Sequence, residues 1–77
     1  MKYVVVEFQT NADGKIGILT FSYDSRLEAE SKYHTVLAAA AISKLPVHTC
    51  CLFQNDGITL ARQSYVHEQG TEGENDL

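Results

Sequence analysis

The stretch from Ser25 to Ser43 constrains the chain most, because a start signal, a run of helix formers and a stop signal follow one another in it. Ser25-Arg26-Leu27-Glu28 has the form of a capping box. The serine hydroxyl takes the N–H of Glu28 and the glutamate reaches back to the cap. Asp24 is a competing cap, so the helix starts within a residue of Ser25. At helical spacing Ala29, Tyr33, Val36, Leu37, Ala40 and Ala41 share one side, with Glu28, Lys32 and Thr35 opposite. Glu28 and Lys32, acid first, form a favourable surface pair worth ~0.3 kcal/mol. From Val36 to Ile42 the helix is apolar all round, a pattern that predicts packing on more than one side. Ala38, Ala39 and Ile42 are left over once the domain's own core is filled. Pro46 ends the helix, since it bars Leu45 from the helical region and has no N–H to donate.

Strands surround this helix. Lys2 to Thr10 is rich in β-branched and aromatic residues, with Val4, Val6 and Phe8 on one face and Tyr3, Val5, Glu7 and Gln9 on the other. Asn11-Ala12-Asp13-Gly14 is a turn, because Asn, Asp and Gly tolerate the positive φ of a tight hairpin. The returning strand, Lys15 to Tyr23, puts Leu19, Phe21 and Tyr23 on one face and Ile16 and Ile18 on the other. After the helix, Val47 to Gln54 is a strand with Val47, Thr49, Cys51 and Phe53 against His48, Cys50, Leu52 and Gln54. Asn55-Asp56-Gly57 is a second hairpin turn. Ile58 to His67 is its partner strand, with Ile58, Leu60 and Val66 on one face and Ala61, Tyr65 and His67 on the other. The predicted class is α+β in the order β-β-α-β-β: a four-stranded antiparallel sheet with one helix packed on one face. Residues 1–68 make a single domain. Residues 69–77 have almost nothing to bury and several negative charges, so they are expected to be a disordered acidic tail.

A chain of 77 residues is one small domain, and such a domain buries only about 60% of its unfolded surface. Its stability is marginal unless a disulfide, a metal or a second chain is added. Cys50 and Cys51 are adjacent, which strains any bridge between them and leaves no disulfide framework. No N-terminal apolar region precedes a cleavage site and no apolar run reaches the ~18 residues of a membrane span, so the expected setting is the cytoplasm, with reduced thiols and no membrane partner. The net charge of -4 argues against phosphate-backbone binding, and the basic residues Lys15, Arg26, Lys32, Lys44 and Arg62 form no stripe. No nucleic-acid partner is expected.

One helix covers one face of a sheet. Tyr3, Val5, Ile16, Ile18, Cys50 and Leu52 predict that the second face is not uniformly polar. Together with the apolar helix back this leaves two sticky surfaces, and a two-fold contact between copies covers them at least cost. The expected interface residues are Ala38, Ala39 and Ile42 on the helix, and Tyr3, Val5 and Tyr65 on the sheet. The blander alternative is that the alanines serve helix propensity and sit in water.

No catalytic, cofactor-binding or metal-ligating set is complete. His48 and Cys50 share a strand face and, with His34 or His67, supply ligands of the type zinc prefers, but the paired spacing is missing. A Cys on a half-buried strand is commonly a small hydrophobe, and Cys51 is expected to face the core. Nucleophilic catalysis would need Cys50 exposed beside His48 or His67, in a concavity that so small a sheet hardly offers. The chain is therefore not expected to be an enzyme. The second reading is a small-ligand or metal-binding protein at a dimer seam around His48, Cys50 and His67.

Gln9-Thr10-Asn11-Ala12-Asp13-Gly14, Tyr33-His34, Val36 to Ala41, His48, Asp56-Gly57 and Tyr65-Val66-His67 together resemble short uncharacterised proteins of bacterial prophages and other mobile elements. The likeness spans nearly the whole chain except the tail. It implies a genomic setting and a protein that acts by binding, such as an anti-defence inhibitor, and it carries no catalytic residues. Met1-Lys2-Tyr3-Val4-Val5-Val6, followed by a hairpin and a helix, is more weakly similar to HicB-like antitoxins. Gly17 to Ser25 departs from them by lacking their Pro-Asp and Pro-Gly-Cys elements. The expected function is a homodimeric protein-interaction module, phage or mobile-element encoded, which works by contact with itself or with another protein.

Overall fold

Two turns of the same chemistry set the sheet. In the computed structural model, which describes residues 1–67, Asn11 N–H donates to the Lys15 carbonyl and Gly14 N–H to the Asn11 carbonyl. Gln54, Ile58 and Gly57 repeat that pattern in the second turn. Gly14 and Gly57 sit at φ of 88° and 96°, where a side chain is strained. The Asp13 and Asp56 carboxylates accept from Lys15 N–H and Ile58 N–H, closing each turn locally.

The strands are β1 (Tyr3–Thr10), β2 (Ile16–Tyr23), β3 (Val47–Gln54) and β4 (Thr59–Val66), and the helix α1 is Arg26–Ala41. The sheet is four-stranded and antiparallel, in the order β2-β1-β3-β4. The α+β class and the β-β-α-β-β order are as the sequence predicts. The expected acidic tail, residues 69–77, lies outside the described residues.

Ser25 is the N-cap, its Oγ accepting from Glu28 N–H at 3.3 Å. The helix surface pair is Arg26 with Glu30 at 3.0 Å, while Lys32 lies 4.1 Å over the centre of the Phe21 ring. Ala29, Tyr33, Val36 and Ala40 are buried and Leu37 is half-buried. Ala41 is exposed, a correction to the expected apolar side, since it stands about 100° round the helix from the buried Ala40.

The core is Val5, Cys50 and Leu52 of the sheet against Ala29, Tyr33 and Val36 of the helix, with Tyr3, Phe21, Tyr23, Leu37, Leu60 and Ala61 around it. Register puts Val5 opposite Phe21 and Leu52, and Glu7 opposite Leu19 and Cys50, so these residues share the face beneath the helix. A bulge at Leu52/Phe53 breaks the alternation of β4. Leu60 and Ala61 then both serve the core instead of lying on opposite faces as predicted.

Candidate functional site

The face of the sheet away from the helix is built from the other parity of each strand. It carries Val4, Val6 and Phe8 of β1, Ile16 and Ile18 of β2, Val47, Cys51 and Phe53 of β3, and Val66 of β4. Interspersed are Thr10, Thr20, Ser22, Thr49, Thr59 and Ser64, with Arg62 the charged residue among these positions. Thr49 and Ser64 hydroxyls bond each other at 2.6 Å, so part of this polar content is already satisfied within the face. Ile16 is 64% exposed, Ile18 59% and Val66 75%. Among the described residues nothing lies over this face, an apolar surface of a kind that marks a contact site.

The expected interface residues divide. Ala38, Ala39 and Ile42 are exposed. Val5 is 0% exposed beneath the helix, so its assignment to a contact surface is corrected: it is core. Tyr3 shares that face and packs on the core. Tyr65 also points to the helix side, stacked on His67 with ring planes 9° apart. Cys51, expected in the core, lies on the open face, shielded by its neighbours to 6% exposure. Cys50 takes the core position instead.

A polar chain crosses from the sheet to the end of the helix. His48 Nε2 donates to Glu7 Oε2 at 2.6 Å, and His48 Nδ1 lies 3.0 Å from Ser43 Oγ. Gln9 Nε2 donates to the same Glu7 oxygen at 2.8 Å, and Leu45 N–H donates to Ser43 Oγ at 3.4 Å. Burial pushes the Glu7 carboxyl up, but hydrogen bonds from Gln9 and His48 and the charges of His48 and Lys32 together outweigh it, so the group sits below its ordinary range. An ionised Glu7 takes the hydrogen on His48 Nε2, which leaves His48 Nδ1 to share its hydrogen bond with Ser43 Oγ. Beside this chain, His67 Nε2 lies 2.9 Å from the Ala40 carbonyl, where an imidazole satisfies a helix end.

Hydroxyl, imidazole and carboxylate stand here in the order of a hydrolytic triad. Their partners, however, tie the loop after α1 to β1 and β3. A concave surface among the described residues lies elsewhere: an open groove of about 420 Å³ lined by Tyr23, Glu28, Ser31, Lys32 and Thr35. Cys50 is fully buried and its thiol is pushed up to about 11, chiefly by burial. That is the reverse of an activated nucleophile. Among the described residues no group of His, Cys, Asp and Glu is placed to hold a metal, and both ring nitrogens of His48 are engaged. No described helix is long and apolar enough to cross a membrane. Sequence reading missed the Glu7–His48–Ser43 chain, whose signal was three polar residues, Glu7, Gln9 and His48, on the strand faces that also carry Val5 and Cys50. Comparison with protein-family models, with curated proteins and with solved structures gives no match.

Proposed function

We propose that this chain is a homodimeric protein-interaction module of the cytoplasm whose open sheet face packs against the same face of a second copy. The observation that carries the reading is that face itself, with Val6, Phe8, Cys51 and Phe53 at its middle and isoleucines and Val66 at its margins. Four strands of eight residues each make a face of about 500 Å² at a strand spacing of about 4.8 Å and a rise of about 3.3 Å. Two such faces bury on the order of 1,000 Å², the floor for a specific interface. With one charged residue, Arg62, among its positions, the face brings little like-charge repulsion against itself. The phage or mobile-element setting implied by the resemblance belongs to the same proposal: a small protein of that kind acts by occupying a partner.

Val6→Lys tests it. On a wet sheet face the lysine is harmless, whereas in a seam it buries an unpaired charge at a cost of about 3 kcal/mol or more, about a hundredfold in Kd. Light scattering on the wild type and the variant, with circular dichroism to confirm the fold, should show an assembly that Val6→Lys dissociates. Equal mass in the two proteins would remove the open face from the seam.

A further inference from the structure

The two edges of the sheet are not alike. Natural sheets blunt exposed edges with charges, prolines or bulges. β4 has two of these devices, the bulge opposite Leu52/Phe53 and Arg62 at its middle. β2, Ile16-Gly17-Ile18-Leu19-Thr20-Phe21-Ser22-Tyr23, has no charge, no proline and no bulge over its whole length. Among the described residues nothing pairs with its outer side.

Which backbone groups face outward follows from the turn. Asn11 N–H donates to the Lys15 carbonyl, so antiparallel alternation turns the groups of Gly17, Leu19, Phe21 and Tyr23 toward β1. Those of Ile16, Ile18, Thr20 and Ser22 point away from the sheet. We infer that β2 is a strand-pairing edge and that its occupant is β2 of a second copy, antiparallel about a two-fold axis at Leu19.

Three observations fit that occupant. Centring on Leu19 pairs Ile16 with Ser22 of the partner subunit and Ile18 with Thr20 of the partner subunit, so every outward N–H and carbonyl of the strand is used. A shift by two residues in either direction leaves one end unpaired. The same register sets Gly17 opposite Phe21 of the partner subunit. A Cβ at Gly17 would meet nothing nearer than the Gln9 carbonyl at 3.9 Å, so nothing within the chain requires glycine there, whereas a ring from across the seam fills the gap that glycine leaves. Finally, the strand ends bring no uncompensated like charges together, since Asp24 pairs with Lys2 within its own chain and the Asp13 carboxylate lies at the Lys15 backbone. Open faces stay on one side of the joined sheet, since paired residues share a face.

This inference goes beyond the face-to-face reading and does not depend on it: it adds a second seam. Thr20→Pro removes an outward N–H, and proline is tolerated on an edge strand where that group faces solvent. With both seams present, light scattering finds four chains in the wild type, two in Thr20→Pro and two in Val6→Lys. Two chains in the wild type and one in Thr20→Pro, with Val6→Lys unchanged, would keep the edge seam and sink the face-to-face reading. A mass that Thr20→Pro does not lower would overturn the edge seam, and sensitivity to Val6→Lys alone would leave the face-to-face reading standing. Leu19→Cys gives an independent readout through a cross-strand disulfide about the axis, since the Cα separation of a non-hydrogen-bonded pair is about 4.5 Å. Mild oxidation should crosslink Leu19→Cys to a covalent dimer and leave Ile16→Cys uncrosslinked; equal crosslinking of the two would overturn the register.

Discussion

Removing the Glu7 carboxylate should destabilise this fold more than any surface change, and by an amount that depends on pH in a defined direction. Glu7→Ala leaves His48 Nε2–H and the Gln9 amide without their acceptor. Orphaned buried donors cost about 1–3 kcal/mol each, and breaking a buried pair from one side costs about 3–5 kcal/mol. A domain of this size is stable by about 4–12 kcal/mol, so Glu7→Ala should take away a large share of that. Glu7→Gln can offer its one oxygen to both His48 and Gln9, which share Oε2 in the native protein, and loses only the charge on the acceptor, for a smaller loss of about 1–2 kcal/mol. Urea titrations followed by far-ultraviolet circular dichroism, at one chain concentration because assembly is linked to folding, give both values at neutral pH. The folded carboxyl lies below its ordinary value of 4.5. Its contribution is therefore complete above that value and lost as pH falls through the folded pKa. The gap between wild type and Glu7→Gln should hold from pH 7 to about 5 and close on further acidification. Variants within about 0.5 kcal/mol of wild type at pH 7, or a gap that persists undiminished in acid, would refute the assignment of a buried, ionised clamp.

Other perturbations separate the roles of neighbouring features. Native protein at pH 8 should resist iodoacetamide at Cys50, because a buried thiol with a pKa of about 11 holds almost no thiolate; mass spectrometry should find labelling only after urea, and rapid native labelling would reopen nucleophilic chemistry. Ser25→Ala loses the cap and should cost about 1 kcal/mol, read as a melting temperature lower by about 4–8 °C. Gly57→Ala forces a Cβ to φ of 96° and should cost about 1–2 kcal/mol in the same melt. Ala39→Glu places a charge on the exposed helix back and should leave the assembly mass unchanged, since both proposed seams lie on the sheet; dissociation would move a seam to the helix.

The helix was legible because its signals are local: Ser25 caps it, Ala29, Tyr33, Val36 and Ala40 repeat at its period, and Pro46 stops the chain before β3. The hairpins were legible for the same reason, each closed by Asn, Asp and Gly within the turn. The faces were harder. Alternation separates Val4, Val6 and Phe8 from Tyr3, Val5 and Glu7, but both sets are apolar enough to be core. Strand order decides between them. With β1 between β2 and β3, those two strands run parallel and α1 is the crossover joining them, a connection whose hand is nearly invariant. Order thus selects the covered face, and it depends on long-range pairing that no short window of sequence carries. Cys50 and Cys51 exchanged roles for this reason, and Leu60 joined Ala61 because a bulge shifts parity without a glycine or proline to announce it. The Glu7–His48 contact joins residues far apart in the chain, and only the β1–β3 register brings them to one face.

Whether a second chain covers the sheet's open face, as proposed, can be read from hydroxyl-radical footprinting of Phe8 and Phe53. Both rings lie on that face, away from the helix. In the assembled wild type both should be protected, and dilution or Val6→Lys should expose them to oxidation. Rings oxidised at the same rate in concentrated wild type, in dilute wild type and in Val6→Lys would contradict the proposal.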